Sequence, residues 1–180
     1  MTTILAFDSA LWRTGVALLR DGELVRTIAI ANRHRRRVEQ LGYIYDCTRT
    51  LLHGWEQPDI VAIESSVSWQ RGGHDRAATV AALAQSRAAI ILAVHVQRLA
   101  WRVQPRIVEV DVHHVRVLVC GLRTANKLQV TENLKLRGYT LPTDTSGAID
   151  MDCCDALALA VCVYLEERLK NLAREQGHVV

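Results

Sequence analysis

The chain has 180 residues, of which 49% are hydrophobic and only three are proline. This length and composition favour one well-packed domain over residues 1–180 and exclude two large domains. The 22 Lys and Arg residues against 19 Asp and Glu residues give a formal net charge of +3, a mild basic excess that permits a nucleic-acid partner without requiring one.

The five cysteines show no Cys-x-x-Cys spacing and lie mostly in apolar segments, so we expect reduced thiols in an intracellular, cytoplasmic protein. The first residues lead directly into a strand pattern, without the basic and apolar regions of a signal peptide. The longest apolar run, residues 88–96, is too short to cross a bilayer. We therefore expect neither a signal peptide nor a membrane segment.

The amino-terminal segment predicts a three-stranded meander. Thr3–Asp8 is an apolar run that ends in an acid, as when a buried central strand carries a side chain to the edge of a sheet. After a polar turn at 11–13, residues 14–20 and 24–30 predict two further strands, joined by the tight hairpin signal Asp21-Gly22.

The densest basic cluster follows the meander, over residues 33–37, and precedes a helical pattern that ends near residues 53–54. Its side chains could form a solvated helix start. Alternatively, several adjacent basic residues placed against the positive end of a helix suit a phosphate partner. Both interpretations stay open, with Arg35 and Arg36 as candidate DNA contacts.

Residues 58–64 repeat the pattern of the first strand, an apolar β-branched run that ends in the acid Glu64. A polar loop follows, and its Trp69, if exposed, needs a functional explanation, with Arg71 beside it. The remaining pattern predicts an Ala-rich helix over 77–100, a strand over 106–110, helices over 112–120 and 125–136, a turn over 139–147 and a final helix over about 151–173. This order predicts an α/β fold with a mixed sheet flanked by helices.

The final helix begins with two acids three residues apart, Asp152 and Asp155, which must share one face beside a run of Ala and Leu. Two anions at a core boundary are costly and favour a cation, but acids also suit the positive start of any helix. Taken alone, the pair is equally compatible with both. Cys153 and Cys154 between them are predicted to pack rather than react.

Asp8 and Glu64 change this balance because they end two separate strands. If the first and fourth strands are neighbours, both acids and the helix pair can converge at one sheet edge. Such an all-oxygen set would repel itself unless hard cations bind, and it suits Mg²⁺ or Mn²⁺ rather than zinc. The pattern predicts two-metal phosphoryl chemistry, with the ions roughly 3.5–4 Å apart.

Five segments in this order resemble the RuvC family of Holliday junction resolvases, which has the ribonuclease H-like (retroviral integrase-like) fold. They are ILAFD at 4–8 with Thr14-Gly15, QPDIVAIE at 57–64, AQSRA at 84–88, ANKLQV at 125–130 and DCCDALA at 152–158. The resemblance implies a five-stranded mixed sheet whose first three strands are antiparallel.

The resemblance also implies a homodimer that makes paired, symmetric nicks in four-way junction DNA, leaving 5′-phosphate and 3′-hydroxyl ends. By motif the acids are Asp8, Glu64, Asp152 and Asp155, holding two Mg²⁺ ions that Mn²⁺ can replace. The family's lysines in and near the helix before the final turn correspond to Lys127, predicted as catalytic and DNA-binding, and to Arg116. A surface residue at the start of a helix is the other interpretation of Lys127. Further DNA contacts are expected at Trp69, Arg71, Arg35, Arg36 and Arg123. Branch-migration or recombination proteins are possible partners, and a nucleoid-associated location follows.

Two departures from the family pattern concern local geometry. Ser9-Ala10 stands where the family has Pro-Gly after the first acid, which removes glycine flexibility near the predicted metal site. The family's stacking aromatic aligns with Val67, and Trp69 could replace it, since base stacking needs a π-face and reach rather than one fixed position. A dimer contact or a core position is the other interpretation of Trp69.

Several alternatives stay open. His113-His114 could ligate a metal, although no third ligand stands at matching spacing. The chain could be a related ribonuclease H-like nuclease acting on other branched DNA, or a non-cleaving junction-binding protein. An actin-like ATPase half-domain also opens with a strand-end Asp, but this sequence lacks a second domain and a phosphate-binding glycine loop.

Overall fold

The computed structural model describes residues 1–65, 74–101 and 104–177. Its elements are β1 (Thr3–Asp8), β2 (Arg13–Arg20), β3 (Glu23–Ala31), α1 (Arg37–Gly54), β4 (Ile60–Ser65), α2 (His74–Arg98), β5 (Arg106–Asp111), α3 (Val112–Cys120), α4 (Lys127–Leu136) and α5 (Met151–Glu175). Every strand and helix that the sequence predicts is present, with ends that shift by three residues at most.

The five strands form one mixed sheet in the order β3-β2-β1-β4-β5. β2 is antiparallel to β1 and β3, whereas β4 is parallel to both β1 and β5. The predicted neighbourhood of the first and fourth strands is therefore confirmed. It follows that β1, β3, β4 and β5 all end at the same edge of the sheet, here called the acid edge.

Strand alternation divides the core into two layers, because successive side chains point to opposite faces of a sheet. One face of β1, including Ile4 and Ala6, packs with α3, α4 and α5. The other face, including Leu5 and Phe7, packs with α1 and α2. The α/β fold with helices on both sides of a five-stranded mixed sheet is therefore confirmed.

The start of α5 is fixed by a cap and by one close backbone approach. The Asp150 side chain is the N-cap and accepts a hydrogen bond from the Cys153 backbone N–H at 3.3 Å. A Cβ added at Gly15 would lie only 2.0 Å from the Asp152 carbonyl oxygen. Only a glycine in β2 therefore lets this first turn sit directly on the sheet.

Within the described ranges, one helical stretch is long and apolar enough to cross a membrane by length and composition alone, Ala77–Arg98 with a mean hydropathy of 1.7. Core helices pass the same test. Here the helix packs on α1, and its Arg87 pairs with Glu109 at 3.1 Å. These contacts assign it to the helical layer, although much of its outer face is exposed.

Candidate active site

The four predicted acids line one pocket of about 340 Å³ at the acid edge. Phe7 pairs with Ile63 in the parallel β1–β4 ladder, so the next residues, Asp8 and Glu64, leave neighbouring strands together. Asp152 and Asp155 reach the same pocket from the first turn of α5. Strand order and helix packing thereby bring together, in one cleft, acids that are up to about 150 residues apart in the sequence.

Asp8 and Glu64 interact directly. Burial raises the pKa of Asp8 well above its usual value, and the hydrogen-bonded Glu64 carboxyl and the charge of Asp155 raise it further. The pocket thus holds more negative charge than its own protein groups neutralise comfortably. An arrangement of this kind favours an additional cation or a proton shared by the two carboxyls.

Lys127, the first residue of α4, forms an ion pair with Asp155. Burial raises the pKa of Asp155, and the hydrogen bond from Lys127 opposes this rise. Burial also disfavours the charged Lys127, yet its bond to Asp155 leaves the pKa of Lys127 raised overall. The ammonium is consequently a fixed positive charge in the pocket, which Arg116 lines as well.

Arg13 is a site residue that the sequence analysis missed, because it placed residues 11–13 in a polar turn. In the structure Arg13 begins β2, and its Nε lies 2.8 Å from Oδ2 of Asp152. The same guanidinium pairs with Asp150, a buried carboxylate. Partial burial disfavours the charged form, but these two acids raise the pKa of Arg13. The sequence signal that could have identified Arg13 as a site residue is its position directly before the Thr14-Gly15 motif.

The two cysteines between the acids contribute packing. Burial raises the pKa of Cys153 to about 12 and that of Cys154 to about 11, so both thiols stay protonated at neutral pH. Cys153 is 2% exposed and Cys154 is fully buried in the core under the sheet. A thiolate nucleophile or metal ligand is not expected from either residue.

The acids present the donor chemistry that hard divalent cations prefer, since all four side chains offer carboxylate oxygens in one cleft. In the described part of the chain, however, no three His, Cys, Asp or Glu side chains already stand where they could hold one ion. Arg13 and Lys127 pair instead with Asp152 and Asp155. The four carboxylates nevertheless line one pocket, so the chemistry of the donor set fits a divalent cation.

The basic cluster of residues 33–37 lies near the acid edge, because β3 ends there at Ala31. Arg35 and Arg36 are exposed, and the N–H of Asn32 donates to the Trp12 carbonyl at 2.8 Å, which ties this segment to the β1–β2 loop. Trp12 itself is 60% exposed. An exposed aromatic and exposed arginines therefore share one surface next to the acids.

The other predicted DNA contacts divide into two groups. Arg123 is exposed in the α3–α4 loop, and its carbonyl lies 3.5 Å from Nδ1 of His113, which holds this loop beside the start of α3. Arg116 lines the acid pocket. Trp69 and Arg71, like the aligned position Val67, lie outside the described residues.

The structure gives no support to a His113-His114 metal site. His114 Nε2 lies 2.5 Å from Oε1 of Glu166. Glu166 belongs to α5, but it lies further along this helix than the pocket acids. His113 instead faces the backbone carbonyl of Arg123. The two side chains thus have separate partners, and no third ligand joins them within the ranges described.

Comparison with known proteins places this geometry in a family. Residues 4–163 match the family model described as crossover junction endodeoxyribonuclease RuvC. No curated protein is significantly similar in sequence. This match confirms the predicted family and nuclease class, and the solved structures below confirm the ribonuclease H-like fold.

Three solved structures illustrate the likeness. RuvC from Thermus thermophilus in complex with a Holliday junction substrate has a TM-score of 0.75 and 17% identity, covering 94% of this chain and 97% of its own. A second structure of Thermus thermophilus RuvC has a TM-score of 0.70 and 16% identity, covering 93% and 96%. The yeast mitochondrial Holliday junction resolvase Ydc2 has a TM-score of 0.65 and 9% identity, covering 96% and 83%.

These structural likenesses show the fold, and the family model carries the assignment because it spans far more than half of the sequence, including all four pocket acids. The chain belongs to the RuvC family of Holliday junction resolvases, metal-dependent crossover junction endodeoxyribonucleases.

Proposed function

We propose that this chain cleaves four-way junction DNA by hydrolysis with two Mg²⁺ ions held by Asp8, Glu64, Asp152 and Asp155. The observation that carries the proposal is the convergence of these acids, from two strands and one helix, in a single pocket. Bound divalent ions would activate water and stabilise the leaving oxygen of the phosphodiester. Mn²⁺, with similar ligand preferences, should substitute.

The protein's own groups have distinct roles in this proposal. Asp8 and Glu64 form the fixed part of the ligand set, because neighbouring strands hold their backbones in register. Lys127 is proposed to face the scissile phosphate, where a fixed ammonium in a partly buried site stabilises the charge that develops during cleavage. Arg116, in the same pocket, would add a second positive charge.

The DNA is proposed to cross the acid edge. Arg35, Arg36 and Arg123 would contact phosphates, and the exposed Trp12 offers a π-face for an unpaired base near the junction. The predicted contacts Trp69 and Arg71 remain part of the proposal. Positive side chains on this edge would also reduce the repulsion between the DNA and the acid pocket.

Exchanging Arg35 and Arg36 together for Gln should weaken junction binding by about 10-fold and lower the slope of log affinity against log salt by about two, because two phosphate contacts are lost. The affinity of wild type and variant can be measured from about 50 to 200 mM KCl. Arg168→Gln on α5, an exposed arginine far along that helix, is the control. An unchanged slope in the double variant would remove these residues from the DNA surface.

Paired nicks require two active sites, so we propose a homodimer. One face of α2 is exposed at helical spacing of three and four residues, through Ala81, Gln85, Ala88, Leu92 and His95. Its small alanines allow a second helix to approach closely, and it carries no Asp, Glu, Lys or Arg. A second copy of the same face, related by a two-fold axis, matches these properties.

Leu92→Glu should convert the dimer into a 20.1 kDa monomer, because it places a charge on this uncharged face at its largest apolar side chain. Light scattering after gel filtration measures the mass. Leu169→Glu on α5 is a matched control, since Leu169 is 57% exposed and Leu92 is 54% exposed. A dimer that persists in Leu92→Glu would overturn this interface. Binding of the wild type to lipid vesicles would instead indicate a membrane role for α2.

The nuclease proposal is tested with labelled four-way, Y-shaped and linear duplex DNA in Mg²⁺ or EDTA. Symmetric nicks in the four-way junction, with religatable 5′-phosphate and 3′-hydroxyl ends and only in Mg²⁺, are expected. Cleavage of the Y-shaped DNA at an equal rate would favour a nuclease for other branched DNA. Tight junction binding without any cleavage in Mg²⁺ or Mn²⁺ would favour the non-cleaving junction binder.

Two wider proposals follow from the same interpretation. The chain is proposed to work as one nuclease domain, because both helical layers pack on a single sheet. Action on junction DNA implies an intracellular protein, and nucleoid association with branch-migration or recombination proteins is proposed. Co-sedimentation with chromosomal DNA from lysed cells would test that location, and recovery only in the DNA-free fraction would contradict it.

A further inference from the structure

We propose that Arg13 is a built-in competitor of the divalent cation for Asp152, and that it thereby sets how much metal the active site requires. The inference rests on the proposed metal-binding function of the pocket and adds a residue that weakens binding rather than providing a ligand. The positive charge is the guanidinium of Arg13, which the folded protein holds next to the acid pocket.

Arg13 contacts Asp152 directly. Nε of Arg13 lies 2.8 Å from Oδ2 of Asp152, within reach of a strong charge-assisted hydrogen bond. Asp152 lines the acid pocket, yet this oxygen faces the guanidinium. A divalent ion that needs the same carboxylate must therefore displace or share an existing cation.

Arg13 has a second partner that is independent of Asp152. Its guanidinium also pairs with Asp150, which is 7% exposed and caps α5 through the Cys153 N–H. Even if Asp152 turns towards a metal, the pair with Asp150 keeps the guanidinium beside the pocket. Arg13 is therefore a persistent neighbour of the metal site and not a side chain that simply leaves it.

The backbone around Arg13 is also held. Arg13 pairs with Ala31 in the β2–β3 ladder, and the Thr14 hydroxyl donates to the Ala10 carbonyl at 2.7 Å. Two residues along, Gly15 lies directly against the Asp152 carbonyl. The strand that carries the guanidinium is thus in direct backbone contact with the helix that carries the carboxylate, which holds the two groups close together.

The sign of the effect follows from Coulomb's law. A unit positive charge about 5 Å from a divalent cation raises the free energy of the bound ion, and even in a water-like dielectric this corresponds to about 10-fold in affinity. If Arg13 served only to position Asp152, its removal would loosen a ligand and weaken binding. The two roles therefore predict opposite changes in metal affinity.

The test is Mn²⁺ binding to DNA-free protein, followed by electron paramagnetic resonance of the free ion. Arg13→Gln should bind Mn²⁺ about 10-fold more tightly than wild type, and Arg13→Lys, which keeps the charge, should stay within about 2-fold of wild type. The gain should vanish when Asp152→Asn is also present. Circular dichroism melting verifies that each variant is folded, and Arg13→Met, which also removes the charge, supplies the decision if Arg13→Gln is unfolded.

Arg20→Gln is the matched control. Arg20 is 43% exposed against 40% for Arg13 and also pairs with an acid, Glu56, but it ends β2 at the opposite edge of the sheet. Its Mn²⁺ affinity should not change. The Mn²⁺ concentration for half-maximal junction cleavage should fall in Arg13→Gln in proportion to the tighter binding.

The outcomes separate this inference from the proposed function. If wild-type binding depends on Asp152 but Arg13→Gln binds Mn²⁺ equally or more weakly, the competitor role is overturned and the metal site stands. If Arg13→Lys binds as tightly as Arg13→Gln is expected to, charge competition is likewise overturned. If wild type shows no Asp152-dependent Mn²⁺ binding, the proposed metal site fails, and the competitor role fails with it.

Discussion

Replacing Asp8 by Asn should lower the single-turnover rate of junction cleavage by about 10³-fold or more, because the variant removes an anionic ligand at the strand-held side of the proposed metal pair. Junction affinity should stay within about 3-fold of wild type, since Asp8 does not belong to the basic DNA surface. Cleavage of a labelled junction in Mg²⁺ gives the rate, and binding in Ca²⁺ gives the affinity.

Asp21→Asn is the control for the Asp8 variant. Asp21 lies in the β2–β3 turn at the opposite edge of the sheet, with a φ of 48° that Asn tolerates well. Its cleavage rate should equal that of wild type. An Asp8→Asn rate above about a tenth of the wild-type rate would exclude Asp8 as an essential ligand.

Asp8→Asn should also be more stable than wild type when no divalent ion is present. Burial and Glu64 raise the pKa of Asp8 in the folded protein. An acid whose folded pKa exceeds its unfolded pKa binds more protons when folded, so its contribution to stability falls as the pH rises above the unfolded value. At pH 7.5 in EDTA, Asp8→Asn should therefore raise the free energy of unfolding above that of wild type. A lower value would show that charge burial does not cost stability here.

Gly15→Ala should destabilise the protein by about 2–4 kcal/mol, because the new Cβ would lie 2.0 Å from the backbone oxygen of Asp152. Neither the strand nor the first turn of α5 can move without disturbing its packing. Urea unfolding measures the loss. Cleavage should also fall by about 10-fold or more, since displacing this turn shifts the Asp152 ligand.

Gly42→Ala provides the opposite expectation from the same substitution. Gly42 is exposed within α1, and a Cβ there meets nothing within 4 Å. Since Ala is the better helix former, this variant should gain about 0.5–1 kcal/mol and keep full activity. If Gly15→Ala were as stable as wild type, the close approach of β2 to α5 would not exist in solution.

Much of the fold could be predicted because it depends on local patterns. Two apolar runs that end in acids, the Asp21-Gly22 hairpin and the helical periodicity of the last segment fix strands, turn and helix by hydrophobic spacing and backbone preference. Five motifs in order were sufficient for the family. The ends of elements depend on contacts outside the local pattern: the polar residues 11–13 predict a turn, whereas pairing with Ala31 makes Arg13 the first residue of β2.

Charge pairing was beyond the reach of the sequence. Lys127 could be named by motif, but its ion pair with Asp155 depends on the packing of α4 against α5. Nothing in sequence spacing relates Arg13 to Asp150 and Asp152, which lie more than 130 residues away and meet it only across the β2–α5 contact. The need for glycine at position 15 likewise depends on the Asp152 backbone that lies against it.

The sequence by itself determined which acids, which elements and which family, because ligand type and hydrophobic period are written in consecutive residues. Tertiary structure alone decided that the acids already have partners and that Trp12 and the basic cluster share their edge. The physical reason is that electrostatic interactions and close packing depend on distances through space, and these are set only when β1 pairs with β4 and α5 settles on the sheet.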